Sequence, residues 1–338
     1  MSNNFSIDEI KIASYLASNI EGFKGPLTAT KFPGGQSNPT YKIEAASGNY
    51  VLRRKPPGQL LKSAHAVDRE YRVIKALRDT EVPVAEVYHL CEDDSIIGSM
   101  FYVMEFVEGR VFWDAALPDF SKEQRKAIYT DMNRVLAALH SVNIEKAGLS
   151  DYGKPGNYFE RQIGRWTKQY KAAEIDKIPE MDALIEWLPN NMPEDDGKVA
   201  LAHGDFRLDN MMFAPDQERV VALVDWELST LGHPYADLAY QCMQLRMPRT
   251  AEIPGLAGLD LPALGIPTEE EYVAMYCERM GIPNIPNWNF YLVFSIFRLA
   301  AIVQGVKKRA VDGNASSEKA HKMGEMVKPL AQLAMSLC

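Results

Sequence analysis

The hydrophobic period of this 338-residue chain switches once, near residues 107–109. Before the switch, short runs rich in β-branched and aromatic residues, separated by turn residues, predict strands over 27–32, 40–45, 50–54, 86–91 and 101–107. Two helical patterns interrupt them. One opens with a capping box from Ser6 to Glu9 and carries Ile10, Ala13, Tyr15, Leu16 and Ile20 on its apolar stripe. The other covers 66–78, with Val67, Tyr71, Ile74 and Leu77 at helical spacing, and Pro83 stands beyond its end. After the switch the pattern is mainly helical, over 122–140, 158–173, 181–190, 269–280 and 288–306, broken by short strands near 211–213 and 220–224. A chain patterned this way folds as α+β, with a β-rich first part, 1–107, and a helical second part, 108–338.

Composition narrows the function classes. A formal charge of −8 argues against a general nucleic-acid binder, which needs a basic surplus to neutralise phosphates. The apolar stretch 290–306 is interrupted by Arg298 and Gln304 and falls short of the ~20 residues that span a bilayer, so it reads as a core helix without membrane insertion. The N-terminal residues show no secretory pattern. Cys91, Cys242, Cys277 and Cys338 are far apart, which points to reduced thiols of a cytoplasmic protein rather than a zinc or redox pair. The histidines lack paired metal-ligand spacing.

The segment Leu201-Ala-His203-Gly204-Asp205-Phe206-Arg207-Leu208-Asp209-Asn210, followed by Val221-Ala-Leu-Val-Asp225-Trp226-Glu227, carries the chemistry. Phosphoryl transfer needs an acidic residue to take the acceptor hydroxyl's proton, and hard oxygen ligands to hold Mg²⁺ across the β- and γ-phosphates of ATP. Asp205 and Asn210 are separated by a loop of the right length for both tasks, and Asp225 follows an apolar strand. An isolated aspartate after a strand usually caps a turn, but the three positions together form a specific set.

These residues resemble the aminoglycoside phosphotransferase-like family, relatives of choline kinases and more distantly of protein kinases. The resemblance spans nearly the whole chain. His-Gly-Asp stands where protein kinases carry His-Arg-Asp, and Val-Asp-Trp-Glu where they carry Asp-Phe-Gly. It implies a bilobal, protein-kinase-like fold with ATP in the cleft, Asp205 as catalytic base, and Asn210 and Asp225 as metal ligands. Arg207 occupies the place of a lysine that contacts the transferring phosphate in many protein kinases. Arg53 stands where the family places the third-strand cation for the α- and β-phosphates, with Arg in place of Lys; Arg54, on the opposite strand face, is expected in solvent. Glu70 matches the helix glutamate that pairs with that cation. Asp237 resembles the buried aspartate that braces the catalytic loop. Glu227 is open to a metal-assisting or a structural role, and His203 reads as a loop-packing residue.

The turn Gly34, Gly35, Gln36, Ser37 and Asn38 places backbone N–H groups and hydroxyls over phosphates, or is a plain hairpin turn. The strand through Glu105 to Val107 is expected to meet the adenine edge with its backbone. The acceptor is a small-molecule hydroxyl. Arg161, Arg165 and Lys168 share one helix face, read either as solvated or as lining the site of an anionic acceptor. The wording Asp225-Trp-Glu-Leu-Ser-Thr-Leu-Gly-His-Pro looks most like the kinase-like domains that accompany acyl-CoA dehydrogenases, which implies a hydroxyacyl-CoA or hydroxy acid acceptor. The alternatives are an aminoglycoside or choline-type kinase, and a nucleotide-binding pseudokinase that acts as an interaction module.

Overall fold

Strand alternation decides the first part of the fold. The structure, a computed structural model, describes residues 7–33, 38–56, 66–250, 254–312 and 322–338. Strands β1 (Leu27–Lys31), β2 (Thr40–Ala45), β3 (Gly48–Arg54), β4 (Val87–Cys91) and β5 (Phe101–Glu105) form an antiparallel sheet in the order β1-β2-β3-β5-β4. Tyr41, Ile43, Leu52, Phe101 and Val103 project from one face into a core with Ile12 and Leu16 of helix α1 (Glu9–Asn19). Because successive side chains point to opposite faces, Arg53 and its cross-strand partner Tyr102 face the other way, toward helix α2 (Val67–Leu77).

Two expectations change here. Ser6 lies outside the described residues, and the N-cap of α1 is Asp8, whose carboxylate accepts the Lys11 N–H at 3.0 Å. Arg54 is not in solvent but 3% exposed. It shares its strand face with Leu52, and that face is the covered one. Its guanidinium donates to the Ser99 hydroxyl at 2.9 Å and the Ile97 carbonyl at 2.8 Å.

The chain forms two compact units. The first comprises Met1–Arg110, Lys146–Leu149 and Met211–Ser229; the second comprises Val111–Glu145, Ser150–Asn210 and Thr230–Cys338. The first thus reaches three residues beyond the expected end at Val107 and also takes the hairpin β7 (Met211–Phe213) and β8 (Val220–Leu223). Backbone bonds tie that hairpin there: Arg110 and Phe213 exchange two at 2.8 Å, and the Leu223 N–H donates to the Pro83 carbonyl at 2.8 Å.

The second unit is built from α3 (Lys122–His140), α4 (Tyr158–Ala173), α5 (Pro179–Asn190), α6 (Pro234–Arg246), α7 (Leu261–Leu264), α8 (Glu269–Met280), α9 (Trp288–Val311) and α10 (Val327–Met335). Strands β6 (Ala200–Ala202) and β9 (Thr230–Gly232) pair antiparallel within it. Helix α9 is its axis, packed by α4, α5, α6 and α10. Among the described residues α9 alone is long and apolar enough to cross a bilayer, yet 72% of its apolar window is buried inside the protein. The protein itself therefore satisfies that apolar surface.

Candidate active site

In the second unit the segment after β6 is pinned at each successive peptide. The His203 N–H donates to Asp237 Oδ2 at 2.6 Å, the Gly204 N–H to Asp237 Oδ1 at 2.9 Å, and the Asp205 N–H to His203 Nδ1 at 3.2 Å. Gly204 has φ +83°, a left-handed conformation that glycine adopts without a Cβ penalty. Asp237 sits on α6, 1% exposed, with His140 Nε2 3.6 Å from Oδ2. Burial pushes its carboxyl up, but the adjacent His140 ring, and then the His203 ring and N–H, more than offset this and hold it below its ordinary value. Two orphan N–H groups and an anion thus satisfy each other inside the fold.

This loop aims Asp205. Asn210 Nδ2 donates to both the backbone carbonyl and Oδ2 of Asp205, each at 2.9 Å. Arg207 Nε lies 3.3 Å from the same Oδ2, and Arg207 Nη2 lies 3.2 Å from Asp209 Oδ2. Burial disfavours the Arg207 charge, but Asp205 and Asp209 outweigh it and raise its pKa. With Oδ2 so occupied, Oδ1 is the oxygen left for an acceptor hydroxyl. Asn210 is fixed as well: facing a carbonyl and a carboxylate, its amide must present nitrogen to Asp205, which leaves Oδ1 as a hard oxygen donor suited to Mg²⁺.

A second constellation lies in the first unit. Arg53 Nε is 2.7 Å from Glu70 Oε2, and Arg53 Nη2 is 2.8 Å from Asp225 Oδ1 and 3.9 Å from Glu227 Oε2. The Nε contact is an ion pair without hydrogen-bond alignment. Burial works against the Arg53 charge, but Glu70, Tyr102, Asp225 and Glu227 together hold its pKa above the usual range. Glu70, whose side chain is 2% exposed, also accepts from Asn38 Nδ2 at 2.6 Å and from the Tyr102 hydroxyl at 3.1 Å. Its pKa is raised by burial, which Arg53 opposes without cancelling.

Asp225 lies two residues past β8, in the left-handed region at φ 65° and ψ 61°. Aspartate is among the residues enriched there, and the neighbours fix the turn: the buried Trp226 donates from Nε1 to the Leu223 carbonyl at 2.9 Å, and Ser229 Oγ donates to the Trp226 carbonyl at 2.6 Å. The Asp225 side chain is 38% exposed, so its carboxylate is open to a cation as well as to Arg53.

The remaining sequence-selected residues are placed unevenly. Gly34, Gly35, Gln36 and Ser37 lie outside the described residues. Asn38 is fully buried, with its amide on Glu70 rather than turned toward a ligand. Glu105 is the last residue of β5 and spends its N–H on the Glu86 carbonyl at 2.8 Å. Val107 follows the strand, and among the described residues neither its N–H nor its C=O has a hydrogen-bond partner, an edge of the kind an adenine ring can use. The α4 cations disperse. Arg161 donates to the Gly156 and Lys154 carbonyls, Arg165 lies 5.4 Å from the Trp166 ring centre, and Lys168 borders a mostly apolar cavity of about 380 Å³ with Ile163, Ile185 and Met192. Sequence reasoning gave no partner to Arg298, whose Nη2 donates to the Gly204 carbonyl beside Asp205; a lone arginine inside the apolar stretch of α9 was the available signal.

Comparison with known proteins gives the family and the fold. Residues 28–264 match the model of the phosphotransferase enzyme family. The chain is 51% identical over 311 residues to mouse (Mus musculus) acyl-CoA dehydrogenase family member 10, covering 92% of this chain and 29% of that protein. It therefore spans less than a third of that relative's length. A solved structure from Ralstonia eutropha, described as an aminoglycoside phosphotransferase, is 50% identical, covers 98% of both chains and superposes with a TM-score of 0.91. An aminoglycoside phosphotransferase in ternary complex with AMP-PNP and hygromycin B is 15% identical, with 96% of this chain and 98% of that one covered, and shares the fold at a TM-score of 0.61.

Proposed function

This chain belongs to the phosphotransferase enzyme family, and from that premise we propose that it is a small-molecule kinase moving the γ-phosphoryl group of ATP to a hydroxyl. The observation that carries this reading is the fixed Asp205 carboxylate, with Oδ2 taken by Asn210 and Arg207 and the backbone pinned by Asp237. Asp205 Oδ1 orients the acceptor hydroxyl and takes its proton as the acceptor oxygen bonds to phosphorus and the bond from the γ-phosphorus to the ADP oxygen breaks. Arg207, 3.3 Å from Asp205 Oδ2, offsets charge developing on the transferred group.

Asn210 through Oδ1 and Asp225 through its carboxylate are the residues that would hold Mg²⁺. The ion supplies neutralisation of the β- and γ-phosphates when bound. Arg53 grips the α- and β-phosphates with a fork that Glu70 holds in place, and Val107 offers its backbone to adenine. The AMP-PNP complex of a protein sharing this fold supports ATP as donor. Buried free thiols at Cys91, Cys242 and Cys277 suit a reducing, cytoplasmic setting.

For the acceptor, the relative named for acyl-CoA dehydrogenase supports a hydroxyacyl-CoA or hydroxy acid over an aminoglycoside or choline. Magnesium-dependent ADP release is to be measured over a panel of hydroxyacyl-CoAs, hydroxy acids, aminoglycosides and choline, with Asp205→Asn as the blank. The expected result is turnover with the acyl or hydroxy acid class alone. Turnover with an aminoglycoside or choline instead moves the acceptor class. ATP binding without turnover across the panel replaces the kinase reading with that of a nucleotide-binding pseudokinase.

A further inference from the structure

Helix α9 carries one arginine deep in its apolar surface. Arg298 is 5% exposed, and no carboxylate pairs with it among the described residues; its Nε is buried without a hydrogen-bond partner. Its guanidinium carbon lies 5.0 Å from the ring centre of Tyr240 on α6 and 5.4 Å from that of Trp166 on α4. A buried guanidinium without an anion is costly, and a Met or Leu would fill the same space between three helices without that cost. The charge has one directed use: Nη2 donates to the Gly204 carbonyl.

That carbonyl belongs to the peptide whose N–H is Asp205's. The Gly204–Asp205 peptide is therefore held at both ends, by Arg298 on its oxygen and by His203 Nδ1 on its N–H at 3.2 Å. Asp237 fixes only the two preceding N–H groups. With Gly204 at φ +83°, the chain before Asp205 has no side chain to restrain it, so rotation of this peptide is the freedom that would swing the Asp205 carboxylate. Tyr240, whose ring centre lies 5.0 Å from the Arg298 guanidinium carbon, has its hydroxyl pKa raised by burial and then by the nearby Asp205 charge.

We propose that Arg298 is a positioning residue for phosphoryl transfer, fixing the plane of the Gly204–Asp205 peptide, and through it the aim of the Asp205 carboxylate. This rests on the reading of Asp205 as the base. It assigns Arg298 no contact with ATP or acceptor, so its loss acts on the chemical step and not on nucleotide binding.

The test compares Arg298→Met, which keeps volume, and Arg298→Lys, which keeps charge, with Gln304→Met, which removes another buried polar group of α9 remote from the loop. Gln304 donates to the Ala173 carbonyl at 2.7 Å. Amide hydrogen exchange over residues 203–210 is expected to speed up about tenfold or more in Arg298→Met and less in Arg298→Lys, and to stay at the parent's rate in Gln304→Met. With the acceptor found above, kcat should fall about 10–100-fold in Arg298→Met while KM for ATP holds, because a base misplaced by an ångström costs on that order. Arg298→Lys should recover part of the loss. Loop exchange at the parent's rate in Arg298→Met, or equal acceleration in Gln304→Met, overturns the proposal by reducing Arg298 to a packing residue. If Arg298→Met does not fold, Arg298→Lys decides by the same exchange and kcat comparison against Gln304→Met. Silence of the parent enzyme on every acceptor overturns the phosphotransfer reading, whereas the exchange measurement still decides whether Arg298 holds the loop.

Discussion

Asp205→Asn yields a folded protein whose turnover is about 100–10,000-fold below the parent's, the range that loss of a general base produces. The substitution is close to isosteric, and the site tolerates it for a specific reason. Both groups that hold the carboxylate, the Asn210 Nδ2 donor and the Arg207 guanidinium, converge on Oδ2. An amide oxygen can take that place, which puts the amide nitrogen where Oδ1 stood. The loop bonds from Asp237 to the His203 and Gly204 N–H groups do not involve the side chain and persist. What changes is the group that meets the acceptor: a donor that can take no proton replaces a base. Nucleotide affinity should be unchanged, because the groups proposed to hold the phosphates and adenine, Arg53 with Glu70 and Val107, are untouched by the substitution. Steady-state ADP release, nucleotide titration and thermal unfolding check the three statements together. A variant turning over at the parent's rate would remove Asp205 from the mechanism, and one that no longer unfolds cooperatively would make the residue structural.

Much of this site was legible because its chemistry sits in continuous segments. Asp205, Asn210 and Asp225 are spaced by one loop and one short hairpin, and Arg53 and Glu70 lie on a short strand bounded by turns and on a helix with a single apolar stripe. Helix α6 was not legible. From Pro234 to Met243 every residue is buried, so no polar face gives the sequence a helical period, yet this helix carries both Asp237 and Tyr240. Strands β6 and β9 have three residues each, too short for alternation to register. Arg54 was misplaced because the face opposite a functional arginine was taken for the wet one, whereas in this sheet that face packs on α1. Asn38 was read with the glycine turn beside it, but its amide is drawn inward by the Glu70 carboxylate 32 residues away. Arg298 is the converse case, a visible anomaly in an apolar run whose partner, a carbonyl 94 residues distant, no pattern could supply.

Arg53→Met separates stability from nucleotide binding. The variant keeps the stem of the side chain and removes the cation from Glu70, which is 2% exposed and left with the Asn38 amide and the Tyr102 hydroxyl as its donors. Removing one partner of a buried pair typically costs about 3–5 kcal/mol, and the two surviving hydrogen bonds place this case near the lower end. The loss should depend on pH in a definite direction. Burial already raises the Glu70 pKa in the presence of Arg53, so protonation of this carboxyl favours the folded chain. Without Arg53 the folded pKa rises further. The penalty is then full near neutral pH, shrinks as pH falls through that raised value, and is smallest below the unfolded carboxyl value of about 4.3. Chemical denaturation at several pH values measures it. Arg53→Met/Glu70→Gln, which removes the stranded charge, should recover most of the lost stability at neutral pH and flatten the pH dependence. KM for ATP should rise in the single variant and stay raised in the double one, because neither restores a cation for the α- and β-phosphates. If the double variant recovers the parent's KM together with its stability, Arg53 is a peg for Glu70 and the phosphates are held by another group.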